Sequence, residues 1–178
     1  VDAALGRTLP PLAGSPLICD TPMDTCVAQW IDNADALSKQ RKEHALLGQR
    51  CERLLDGTLQ FDEALAPMRT VAEPMAQHGV GAVNCSRWFL SGAVLAWAQQ
   101  DRARAIALLT QADRMNRSLL NGSHSLIGQM IAVRVTRNTL SAVAALAVRD
   151  PSLSAALMPL LAPLPDQVQS VKRWMVVE

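Results

Sequence analysis

Residues 101–122 read DRARAIALLTQADRMNRSLLNG, and this stretch decides the fold class. Ala105, Leu108, Leu109, Ala112, Met115 and Leu119 recur at the steps that gather side chains on one face of a helix. Arg104, Gln111, Arg114 and Arg117 fall mainly on the opposite face, and Asn121-Gly122 supplies a stop. The expected element is an amphipathic helix that must bury its apolar stripe against neighbours.

Working outward, the preceding residues predict such a neighbour. Asn84 is a candidate N-cap, and Trp88, Phe89, Gly92, Ala93, Leu95, Ala96 and Trp97 leave little polar face before Gln99-Gln100-Asp101. That helix is expected to be buried nearly all round. Further upstream, Thr21-Pro22-Met23-Asp24 joins a cap oxygen, a proline where a missing N–H costs nothing, and a first-turn acid, predicting a helix from Pro22. Asp32-Asn33 breaks or bends it. A longer helix with Ala34, Leu37, Ala45, Leu46, Leu47, Cys51, Leu54 and Leu55 then runs to Gly57. From Thr58 to Val83, the punctuation of Pro67, Pro74 and Gly79-Val80-Gly81 predicts one or two short helices in a long connection.

Downstream, Ser123 is expected to cap a segment through Leu126, Ile127, Met130, Ile131 and Val135, broken near Arg137-Asn138 and resumed from Leu140 to Val148. Asp150-Pro151 is a capped restart. The turns from Leu153 to Leu161 end against Pro163 and Pro165, and a last helix holds Val168, Val171, Trp174 and Met175. Strand signals are nearly absent: the chain has no Tyr and two Phe, and its Val residues sit among alanines at helical spacing. The reading is an all-α fold of about six to eight helices packed as antiparallel hairpins. Residues 1–18 form an extended Pro- and Gly-rich leader, and 19–178 a single helical domain.

Composition narrows the function classes. At 178 residues, 49% apolar and 19% charged, the chain fits one ordinary packed core. A net charge of +1 with dispersed Lys and Arg carries no footprint for nucleic acid. The cluster Lys39-Gln40-Arg41-Lys42, diluted by Glu43, reads as a solvated helix face. The most apolar stretch, Ser125 to Val148, is interrupted by Arg134, Arg137 and Asn138, so it reads as core and not as a transmembrane span.

The four cysteines, Cys19, Cys26, Cys51 and Cys85, include no CxxC pair, and His44, His78 and His124 stand at no ligand spacing from them. Disulfides are expected instead of metal, with Cys19 joined to Cys26 across a short loop and Cys51 to Cys85, although the crossed pairings stay open. Such bridges persist in oxidising compartments, which implies a periplasmic or extracellular location. Val1 is no start residue, so a signal or anchor segment is expected to have been removed.

No catalytic or cofactor-binding arrangement stands out. In Ser123-His124-Ser125 adjacent residues align poorly as donor and acceptor, and Ser123 is wanted as a cap. Glu43-His44 lacks the second histidine of a zinc helix, Asp62-Glu63 and Asp32 with Asp35 read as loop or cap acids, and Gly79-Val80-Gly81 has no phosphate-loop lysine. Of the four tryptophans, Trp30 and Trp174 are the expected interface anchors.

Two resemblances add to this reading. Trp88 to Arg117 resembles one tetratricopeptide unit, with Phe89, Ala93 and Ala96 on the first helix facing Ala105, Leu109 and Ala112 on the second, although Gly92 and Trp97 are shifted from the repeat's glycine and aromatic positions and no second copy is visible. The start Cys19-Asp20 with Cys26 after five intervening residues, the run from Ser125 to Ile131 and the Pro-rich Leu160 to Pro165 resemble a group of uncharacterised secreted helical proteins of proteobacteria. That likeness implies a secreted helical protein whose chain continues beyond Val176-Val177-Glu178.

The resulting expectation is a non-enzymatic cell-envelope module that binds another protein or a peptide, of inhibitor, immunity or scaffold type. The competing expectation is an envelope enzyme or small-ligand binder with a cavity among the helices near His124 and Arg134. The sequence does not set the oligomeric state.

Overall fold

The longest helical stretch begins eleven residues before the expected cap at Asn84 and carries the rest of the architecture. The computed structural model describes residues 17, 19, 21–55, 73–123 and 126–163, with backbone alone for 54 and 73–80. Its helices are α1 (Met23–Asp32), α2 (Ala34–Glu43), α3 (Ala45–Leu55), α4 (Glu73–Ala98), α5 (Arg102–Gly122) and α6 (Leu126–Arg149). A 3-10 turn (Pro151–Leu153), the short α7 (Ser154–Leu157) and a second 3-10 turn (Met158–Leu161) follow. The fold is all-α, with no strand among the described residues.

The segmentation corrects three expectations. Pro74 falls in the first turn of α4, where proline is tolerated, so the helix passes through Asn84 instead of starting there. The helix after Asn33 is divided at His44, whose backbone N–H closes α2 onto Gln40 while its carbonyl accepts from Leu47 at the start of α3. α6 runs unbroken through Arg137 and Asn138, because helix packing outweighs the weak helix propensity there.

Caps and turns follow from local chemistry. Asn33 closes α1, its backbone and side-chain amides both donating to the Gln29 carbonyl at 3.0 and 2.8 Å. α4 ends with Gln100 N–H on the Trp97 carbonyl and Asp101 N–H on that of Ala96, which places Gln100 at φ 64°, the left-handed position usually held by glycine. The Asp101 carboxylate then caps α5 by accepting from Arg104 N–H at 3.0 Å. At α1 the expected cap fails: Pro22 occupies the N-cap, and the Thr21 hydroxyl lies 3.0 Å from Cys19 Sγ.

α4 is the hub: α1, α2, α3, α5 and α6 all pack against it. The short 99–101 turn makes α4 and α5 an antiparallel hairpin. α6 returns antiparallel along α5, as the Asn116 amide shows by donating to Thr139 Oγ1 at 2.8 Å while Gln129 donates to the Leu120 carbonyl at 3.1 Å. The core joins Phe89, Leu90 and Val94 of α4 to Leu108, Leu109 and Ala112 of α5, Val135 and Leu146 of α6, and Val27 and Trp30 of α1. Burial of these side chains is the main source of stability, about 1.5–3 kcal/mol for each large one.

Two disulfides brace the N-terminal half. Cys19 is bonded to Cys26 and Cys51 to Cys85, so the second ties α3 to α4 within the core. These bonds suit an oxidising, non-cytoplasmic compartment.

Candidate functional site

α6 is apolar on two faces, and only one is used by the core. Ala132, Val135, Ala142, Val143 and Leu146 are buried against α1, α4 and α5. Turned away from them, Leu126, Met130, Val133, Arg137, Leu140 and Ala144 alternate at four- and three-residue steps, and all are exposed. Those five steps average about 3.6 residues, the helix's own repeat, so the exposed residues keep to one side of α6 along its length. Exposure is 54% at Leu126, 56% at Ile127, 64% at Met130 and 80% at Val148. Extended one turn to the exposed Val148, the stripe spans about 33 Å at 1.5 Å per residue.

Charge on this helix has one sign. Arg134, Arg137 and Arg149 are exposed, and residues 126–149 contain no Asp or Glu. Arg149 Nη1 turns back to the Ala145 carbonyl at 2.9 Å, whereas Arg137 lies within the seam near its centre and Arg134 stands beside it. The face is therefore an apolar strip with two cations at its middle. By length and composition α6 is also apolar enough to cross a bilayer, with just under half of its most apolar window buried inside the fold.

A polar node fixes the far end of α6. The Asp150 carboxylate accepts from Arg102 Nε at 2.8 Å, from Trp97 Nε1 at 3.3 Å, and from the Ser152 hydroxyl and backbone N–H. The Ser152 hydrogen bond, with help from Arg102 and Trp97, holds its pKa below the usual carboxylate value against the opposing effect of desolvation. This arrangement pins the C-terminal ends of α4 and α6 to the start of α5. It saturates the carboxylate with donors, which makes it a clamp and leaves no lone pair poised for proton transfer.

The expected anchors separate. Trp30 is a core residue at 2% exposure, so it is no interface anchor: α1 turns it inward with Met23, Cys26 and Val27, where its large apolar ring is worth most. Trp174 and the helix expected around it lie outside the described residues, as do His124, Ser125, Asp62, Glu63 and the leader apart from Leu17. Arg134, named with His124 as a cavity residue, is exposed on α6. Ser123 is not the start of α6 but the buried C-cap of α5, its carbonyl accepting from Gln129 Nε2 at 2.7 Å.

The outward seam was missed because Ser125 to Val148 is apolar on both faces, which blurs the periodicity that reveals an inner side. A signal was present in the strict alternation from Leu126 to Ala144. Among the described residues no three His, Cys, Asp or Glu side chains gather as metal ligands. A disulfide-braced all-α bundle with an unpaired apolar helix face is the class that these features define. No family model, no curated protein and no solved structure matches the chain.

Proposed function

We propose that this protein is a non-enzymatic interaction module of the cell envelope, periplasmic or extracellular, whose docking face is the outer seam of α6. The supporting observation is the row Leu126, Met130, Val133, Leu140 and Val148, exposed on a helix whose opposite side is already in the core. Contiguous exposed apolar surface of this kind marks interaction sites. The disulfides support the compartment, and the likeness of the Cys19 to Cys26 start to secreted helical proteins points the same way.

The occupant is an amphipathic helix of another protein, with carboxylates beside its apolar stripe. Charge complementarity selects it: Arg134 and Arg137 stand at the seam with no acid on α6 to neutralise them. A second copy of this chain is disfavoured. A two-fold pairing of α6 seams would set Arg137, at the middle of the stripe, against its own counterpart.

Photo-crosslinking from position 133, in cells and with the disulfides intact, tests the reading. The expected product is a heteromeric adduct to a helix bearing acidic residues, lost in Arg137→Glu and regained when an opposing carboxylate of the partner is replaced by Lys. Adducts to lipid alone, adducts between two copies of this chain, or no adduct would each overturn it. Retention on phosphatidylglycerol vesicles that depends on Arg134 and Arg137, without a protein adduct, would assign the face to a membrane surface instead.

A further inference from the structure

The contact between α2 and α4 holds a cation, Arg41, that is ion-paired to no carboxylate among the described residues. Arg41 lays its guanidinium over the Trp88 indole, 3.8 Å from the ring centroid. It also lies against Gly92, where an added Cβ would stand 2.6 Å from Nη2. Nη1 donates to the Trp88 carbonyl and, at 2.9 Å, to Ser91 Oγ. Both protons of that nitrogen are therefore committed to α4.

The other edge of the fork is not. Among the described residues neither Nε–H nor Nη2–H has an acceptor, and no carboxylate lies within ion-pair distance of Arg41. The Arg41 side chain as a whole is half-buried, so part of it stays in contact with solvent. Burial, reinforced by the nearby positive charge of Arg104 and opposed by Glu52, pulls the Arg41 pKa down to about 10. A guanidinium removed from water in this way without a paired anion is costly to keep.

The unused edge has the shape of one specific ligand. Nε–H and Nη2–H are parallel donors, spaced to meet the two oxygens of a carboxylate side-on. Three contacts already fix the plane: the indole face, the Gly92 backbone and the Nη1 bonds. The ordering entropy that weakens exposed arginine pairs is thus spent in folding. We infer that the Nε–Nη2 edge of Arg41, backed by Trp88 and Gly92, is a carboxylate-binding site, with Arg104 adding a second positive charge. This site lies on α2 and α4 and does not depend on the seam of α6, so either can fail without the other.

The test is a titration of the arginine Nε–H signals of the disulfide-intact protein by nitrogen–proton correlation spectroscopy, with the Arg41 signal assigned in the wild type through bonds. The probes are acetate, N-acetyl-dialanine with a free C-terminus, N-acetylglutamate amide and inorganic phosphate. The expected result is a saturable shift of Arg41 with a carboxylate, half-complete on the order of 1–10 mM as befits so few ligand atoms. Arg134 and Arg137 should drift linearly over the same range. Glu52→Gln should tighten binding roughly threefold by removing a competing negative charge. The two peptide probes distinguish a terminal from a side-chain carboxylate. A linear Arg41 response indistinguishable from that of Arg134, no response, or tighter saturation by phosphate than by any carboxylate would overturn the assignment.

Discussion

Gly48 on α3 lies so close to the Trp88 indole that a Cβ built on it would stand 2.3 Å from the ring carbon Cζ2. The same indole carries Arg41. Trp88 is thus held between a glycine backbone and a guanidinium. The two glycines beside this stack differ in what they face, since Gly92 meets the flexible end of Arg41 and Gly48 meets a rigid ring. Gly48→Ala is expected to destabilise the fold by about 2–3 kcal/mol through overpacking. Gly92→Ala should cost less, because the guanidinium can swing away. Chemical denaturation of both variants checks the order, and equal losses would refute it.

The disulfides should contribute unequally. Cys51 and Cys85 are 34 residues apart in sequence and Cys19 and Cys26 are 7 apart. Chain-entropy arithmetic gives about 4 kcal/mol for the longer loop and about 2 kcal/mol for the shorter. Replacing each pair by alanine should lower the denaturation midpoint more for Cys51 and Cys85.

Gln100 adopts a left-handed backbone, φ 64°, at the end of α4. Glycine reaches that region without the Cβ penalty, so Gln100→Gly is expected to stabilise the protein by about 0.5–1 kcal/mol. Thermal melting checks the sign, and a lower melting temperature would contradict the reading of this turn.

Asp150 predicts an acid limb in the stability profile. Its folded pKa is depressed, chiefly by Ser152, so its contribution is full above the unfolded value near 3.9 and fades as pH falls through the folded value. Asp150→Asn should be less stable than wild type at neutral pH, with the gap closing below about pH 4. A gap independent of pH down to about pH 2 would show that ionisation does not matter there.

The two faces of α6 should respond differently to substitution. Met130→Gln on the exposed seam is expected to change stability by no more than about 0.5 kcal/mol. Thr139→Val, which leaves the buried Asn116 amide without its 2.8 Å acceptor, should cost about 1–3 kcal/mol. Comparable losses would mean that the seam is not free surface.

Much of the fold was legible because single faces carried it. On α5 the stripe from Ala105 to Leu119 alternates with polar residues, and its ends coincide with Asp101 and Gly122. Phe89, Ala93 and Val94 are buried as the apolar run around them predicts. The failures share a cause: local punctuation was read where packing decides. Gly79-Val80-Gly81 and Asn84 resemble boundaries, yet α4 runs through them because five helices pack on it. Asn138 resembles a break, yet α6 continues. Trp30 resembles an anchor by type, but only the rotation of α1 determines that it points inward. The site was least legible, since Arg41 looks like one charge in a basic run until Trp88, 47 residues away, supplies its platform.

The Cys51 to Cys85 bond also governs how the chain answers a protease. It closes the loop between Cys51 and Cys85, so a single backbone cut anywhere between them releases no piece: both products stay tethered and migrate as one molecule. Only a thiol reagent would part them, and a nicked population would pass unnoticed in any gel run without one.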